Sequence, residues 1–228
     1  EAESGTITYT VNAALGEDYE DDCTLTYGNL QTAIDRLKQS YSNPEPIYQY
    51  VTKNGDSYNL RQPIVMKVHY YDDTPEDDTI DYIYRGTTNI GKYAGNAKPT
   101  HSNLLENINL SGANATNTLT IKAGDNKAKP WVHHIVIRNS KNIVLDSLAI
   151  FSDPADSDPQ KAGTQTIGDN AIEMDKNIAS GDAGWNTLNS NGYVDGANIV
   201  VQNCVFEQPN SFFRLRFGQM WCKNRSLV

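Results

Sequence analysis

The sequence predicts an all-β chain of short stacked strands, a β-solenoid closed at its N-terminal end by a single helix. Three observations carry this reading. The apolar runs are of strand length and mostly alternate with a period of two, as a strand with one inward face requires. Asn accounts for 24 of the 228 residues. Its side chain hydrogen-bonds neighbouring backbone and tolerates left-handed φ, so Asn at strand ends marks many tight turns. Finally, the run beginning at residue 142 recurs at residue 198 with its apolar columns intact.

Length and charge bound what such a chain can do. At 228 residues it is one ordinary domain or two small ones, able to bury roughly 70–75% of its unfolded surface. Setting aside its 13 Tyr and counting its 16 Gly leaves an apolar share of about 39%, a lean core beside the usual 45–50%. The net charge is −9, and residues 1–78 carry 15 acids against 5 bases. A phosphate backbone would be repelled over most of that surface, so nucleic acid is not an expected partner. No run of eighteen apolar residues offers a membrane span, and the acidic, small opening Glu1–Gly5 does not look like a secretory leader. Cys23, Cys204 and Cys222 fit neither a disulfide framework nor a zinc or redox motif.

Taken in order, residues 6–15 alternate as a strand, and the acidic run 17–22 reads as a solvated loop without the spacing or Gly of an EF-hand. GNLQTAIDRLKQSY (28–41) places Leu30, Ile34 and Leu37 on one helical face with Asn29 as N-cap. Strands are expected at 63–73 and 79–86, and a Gly-, Thr- and Asn-rich loop at 87–103. From residue 103 the strand-length runs are 103–112, 118–124, 134–139, 142–151, 171–175 and 198–207, with no helical pattern between them. A doubly wound βαβ sheet is therefore not expected, which leaves a sandwich or a solenoid.

Repetition selects the solenoid. NIVLDSLAIF aligns with NIVVQNCVFE so that Ile143 meets Ile199, Val144 meets Val200, Leu145 meets Val201, Leu148 meets Cys204 and Ile150 meets Phe206. With AIEMD (171–175) between them, the two runs are expected two coils apart, the polar stretches 152–168 and 176–197 being outward loops. Residues 1–62 form an N-terminal strand and helix region and 63–228 the coils. The basic, aromatic end 212–228 is either the start of further coils or an edge that pairs with a partner.

HIVIRNSKNIVLDSLAIFSD, with its apolar strand, Asn-containing turn and second apolar strand, resembles the rung pattern of the right-handed parallel β-helix, or pectate-lyase-like, superfamily. GNLQTAIDRL is similar to the helix that caps many of its members. The resemblance covers most of 28–217 and is architectural, because that scaffold hosts lyases, hydrolases, adhesins and tailspikes. It implies a secreted or cell-surface protein that binds polysaccharide, with lyase chemistry ahead of hydrolase chemistry, and a noncatalytic adhesin-like or structural solenoid as the alternative.

Lyases of this kind hold a uronate on Ca²⁺ through Asp and Glu, while an Arg or Lys removes the proton α to the carboxylate. The corresponding residues would be Asp169, Asp175 and Asp195 as cation ligands and Glu173, Arg214 and Arg216 as the catalytic groups. No family motif matches these positions residue by residue, and solvated exterior charges are the plainer reading of them. Glu173 and Asp175 share a strand face. The paired-Asp signature of β-helix hydrolases is missing. His133 and His134 are adjacent and point to opposite faces, which argues against joint metal ligation. Trp185 and Tyr193, in the long loop before residue 198, are the expected sugar-stacking platforms. The tyrosines around 48–93 read as strand packing.

Overall fold

The computed structural model describes residues 5–70, 87–88, 103–110, 117–124, 129–133, 135–151, 172–175, 198–207 and 213–215. The N-terminal elements are β1 (Ile7–Val11), β2 (Glu20–Asp21), β3 (Thr26–Tyr27), α1 (Leu30–Gln39), β4 (Val51–Asn54) and β5 (Ser57–Leu60). Twelve strands follow: β6 (Ile64–Val68), β7 (Thr87–Thr88), β8 (Asn103–Glu106), β9 (Leu119–Ala123), β10 (Trp131–His133), β11 (Ile135–Arg138), β12 (Ile143–Asp146), β13 (Ala149–Phe151), β14 (Ile172–Asp175), β15 (Ile199–Gln202), β16 (Val205–Glu207) and β17 (Phe213–Leu215).

These twelve strands visit three sheets in strict rotation. Sheet I has the order β15-β12-β9-β6-β1-β3-β2, sheet II β16-β13-β10-β7 and sheet III β17-β14-β11-β8. Each round contributes one strand to each sheet, and from β9 onward every strand pairs in parallel with the strand three places before it. Parallel neighbours need a crossover, and here the other two strands of the round supply it.

Register stacks like on like. Ile7, Ile64, Leu119, Ile143 and Ile199 form one column of sheet I, and Tyr9, Met66, Ile121, Leu145 and Val201 form the next. From Ile64 to Ile143 the first column is fully buried, as are Leu145, Leu148 and Ile150, whereas Ile199, Val201 and Cys204 are half-buried against the same core. Each fully buried Ile or Leu contributes roughly 1.5–3 kcal/mol. The side chain of Phe206 lies outside the described residues.

The pairing of Ile143 with Ile199 is the register the aligned columns predict. It also corrects the expected spacing, because β12 and β15 are immediate neighbours, so one round and not two separates them. The AIEMD run supplies the sheet III strand of that round. The two aligned runs are each split into two strands. The splits fall at Ser147 (φ 58°) and Asn203 (φ 55°), which turn the chain from sheet I into sheet II.

Asn does what its abundance predicts. Six of the eight described non-Gly residues at positive φ are Asn: 107, 109, 139, 142, 198 and 203. Left-handed backbone costs most residues about 1–2 kcal/mol, a penalty that Asn relieves by local hydrogen bonding. Asn198 Nδ2 also donates to Asn142 Oδ1 at 3.0 Å, joining one turn to the next. Asn109 is fully buried and satisfied: it accepts from Leu60 N and donates to the carbonyls of Asn117 and Lys141.

The helix forms as expected, with Asn29 Oδ1 accepting from Thr32 N at 2.8 Å. Leu30, Ala33, Ile34 and Leu37 are buried, and α1 packs on β1, β3 and β8. β8 is the end strand of sheet III, and Gln31 Oε1 accepts from its Leu104 N. A backbone donor of that strand is thereby satisfied by a side chain.

Three expectations change. Part of the acidic run is not loop, since Glu20–Asp21 pairs antiparallel with β3. Thr87–Thr88, inside the expected loop 87–103, is a strand that pairs with Trp131–Val132. β4 and β5 form an antiparallel hairpin that periodicity did not reveal. The expected strand at 79–86 lies outside the described residues. β1 and β6, on either side of the expected boundary at residue 62, pair over five residues within one sheet.

Candidate functional site

Sheet III gathers the described members of the expected site. β11 lies between β8 and β14, and its register sets Arg138 between Glu106 and Asp175. Arg138 Nη1 is 3.5 Å from Glu106 Oε1, with both side chains largely shielded from solvent. One strand further on, Glu173 stands in register with Arg214. Glu173, Asp175 and Arg214 are thus brought to adjacent positions of one sheet. The register sets Glu106 and Asp175 at the positions on either side of Arg138, and Glu173 at the position beside Arg214. The Glu106–Arg138 pair contributes roughly 0.2–1 kcal/mol.

Arg138 is the residue that sequence reasoning missed. Its signal was available in HIVIRN, where it follows Val136 by two residues and so shares that face, but its partner strands lie far away in the chain. Asp169, Trp185, Tyr193, Asp195 and Arg216 lie outside the described residues. Among the described residues, no three His, Cys, Asp or Glu side chains are grouped closely enough to hold a metal ion.

A second polar cluster sits on sheet I at Asp146. Its carboxylate accepts from Gln202 Nε2 and Asn203 Nδ2, each at 3.0 Å, and from Ser147 Oγ at 2.9 Å. Lys122 is its in-register neighbour on the other side. Partial burial acts to raise the pKa of Asp146, but the donors Asn203, Gln202 and Ser147, helped by the Lys122 charge, outweigh it and hold the pKa below the usual carboxylate value. The cluster ties β12 to β15.

The acidic N-terminal run is anchored in the same way. Arg36 of α1 pairs with Glu20 and lies 3.8 Å from Asp22, and the Tyr27 hydroxyl donates to Asp22 Oδ1 at 2.9 Å. Tyr9 stacks on Tyr27 with ring centroids 5.8 Å apart and meets Tyr50 edge-on at 6.1 Å. Burial is the main cause that pushes all three phenols up in pKa. These tyrosines are core, and of the tyrosines read as packing Tyr50 is therefore one. Tyr48 is exposed.

Cys204 is half-buried, and burial pushes its thiol up in pKa, as a residue in the column of Leu148 should behave. Its Sγ donates to Gln202 O at 3.2 Å. Cys23 is exposed.

No protein-family model matches the sequence, and no curated protein or solved structure matches it either. No helix among the described residues is long and apolar enough to cross a membrane.

Proposed function

We propose that this chain is a right-handed parallel β-helix of the pectate-lyase-like kind, capped by α1, and that it works at the cell surface or in the secreted state as a polysaccharide-binding scaffold. The observation that carries this reading is the four-round rotation through three parallel sheets. Right-handedness follows from the strong preference of parallel crossovers, about 98%. Such a stack presents side chains in rows at a fixed strand spacing of about 4.8 Å. On sheet I one row runs Thr10, Lys67, Lys122, Asp146 and Gln202. A linear polymer of repeating sugars is the ligand class that a one-dimensional polar row accommodates.

Binding without catalysis is the better reading of sheet III, because Arg138, the cation in register with Asp175, is already paired with Glu106. The lyase reading draws its support from the adjacency of Glu173 and Arg214. In that reading Asp169, Asp175 and Asp195 would hold Ca²⁺ and Arg214 or Arg216 would remove the proton. In either reading Trp185 and Tyr193 would stack the sugar on the flank formed by loops 152–168 and 177–197, where recognition can vary without disturbing the stack. A glycan array with and without EDTA tests binding, and an ultraviolet assay for unsaturated uronate tests lysis. Absence of any glycan ligand would reject the scaffold's binding role. An unsaturated product abolished by Arg214→Ala would establish the enzyme.

A further inference from the structure

We infer that the N-terminal region carries a second, calcium-independent glycan site, in which Lys38 and Lys53 converge on Tyr41 and Tyr58 to receive a carboxylate-bearing sugar. The inference rests on the glycan-binding reading above but uses none of its residues. Lys38 lies in the last turn of α1, Tyr41 in the 3₁₀ turn Ser40–Ser42 that follows directly, and Lys53 and Tyr58 are cross-strand partners in the β4–β5 hairpin. The Lys38 ammonium is 4.8 Å from the Tyr58 ring centre, and that of Lys53 is 5.0 Å from Tyr41 and 5.4 Å from Tyr58. The two rings are 6.1 Å apart.

Both ammonium groups lie within 5.4 Å of the Tyr58 ring centre, and a ring face balances only part of a cation's charge at an exposed site. A carboxylate would ordinarily complete such an arrangement. Among the described residues none lies within 4.0 Å of either ammonium. The described part of the segment, residues 5–70, holds eight acids and five bases. The arginines of the segment are already engaged, Arg36 with Glu20 and Asp22 and Arg61 with the carbonyls of Pro46 and Gln49.

The platform is also held in place. Tyr58 N donates to Asn107 O at 2.8 Å and Tyr58 O accepts from Asn109 N at 3.0 Å, so the hairpin is fastened to the turn after β8. Tyr41 remains exposed and offers a flat, partly polar ring to the C–H face of a pyranose. A uronate fits both features, its carboxylate drawn to the ammonium groups and its ring to the exposed part of Tyr41. The overall charge of −9 acts against a polyanion at long range, but at physiological salt it is screened beyond roughly 8 Å. Cations supply the charge here, so Ca²⁺ is not needed, in contrast to an acid-lined flank.

Calorimetric titration of the full chain with tetragalacturonate and with neutral galactotetraose, each in EDTA and again with Ca²⁺, tests this. The expected result is binding of tetragalacturonate alone, weakened roughly tenfold or more in the Lys38→Gln/Lys53→Gln double variant and weakened also by Tyr41→Ala. Thermal melts confirm that the variants fold, and the single Lys variants serve if the double one does not. Tetragalacturonate binding that needs Ca²⁺, or that the lysine variants leave unchanged, overturns this site while leaving the glycan reading intact. Failure of every glycan to bind, with or without Ca²⁺, removes both.

Discussion

Ile34 offers the sharpest test of how the N-terminal end is closed. It is fully buried on the face of α1 that packs against β1, β3 and β8. Ile34→Ala removes three carbons, about 2.4 kcal/mol at roughly 0.8 kcal/mol each. The cavity left in a packed site adds to this, for a total of about 3–4 kcal/mol within the usual range for such substitutions. In a chain of this size each kcal/mol lowers the melting temperature by about 2–4 °C, so the expected drop is about 6–16 °C. Ile34→Asp should cost more, since it buries a carboxylate with no partner. Gln39→Ala, exposed at the end of the same helix, is the control and should stay within about 0.5 kcal/mol. Circular dichroism melts and urea titration of the three variants give the answer. If both Ile34 variants melt within a degree of the parent, α1 does not close the core and the reasoning fails.

Gly28→Ala should be strongly destabilising, because a Cβ there would sit 1.7 Å from the carbonyl oxygen of Gly16, and backbone cannot yield as a side chain can; an unchanged urea midpoint would contradict this. Asp146 should make stability depend on pH. Its lowered pKa means that its contribution is complete above the unfolded value of about 3.9 and disappears as pH falls through the folded value. Asp146→Asn should therefore be less stable than the parent at pH 7 and converge with it in strong acid, and a constant difference across that window would refute the assignment. Cys204 should label slowly with a thiol reagent in the native state while Cys23 labels quickly, checked by peptide mass spectrometry; equal rates would place Cys204 outside the core.

Much of the local structure was legible in the residues. Helix α1 announced itself by the spacing of Leu30, Ile34 and Leu37 behind an Asn cap, since amphipathicity and capping are properties of a few consecutive residues. The Asn-rich turns and the pairing of Ile143 with Ile199 were legible for a similar reason. Left-handed backbone and column matching leave their mark on the sequence wherever the same turn recurs.

What the sequence could not decide was which strands become neighbours and how many residues lie between them. Period-two alternation says that a segment has an inward face, but not whose backbone it pairs with, and a long loop adds little to the cost of closure. Runs 142 and 198 therefore looked two rounds apart until the pairing of β12 with β15 set them side by side. The break at Ser147 and the hairpin β4–β5 were likewise hidden, because tertiary pairing and not local pattern divides those segments. The same holds for chemistry. By itself the sequence determined an acidic, strand-rich chain with one amphipathic helix behind an Asn N-cap. Only the tertiary structure set Arg138 between Glu106 and Asp175, gave Asp146 its donors from a strand 56 residues away, and brought Lys38 and Lys53 onto Tyr58. Charges distant in the chain act on one another only after folding has brought them within a few ångströms.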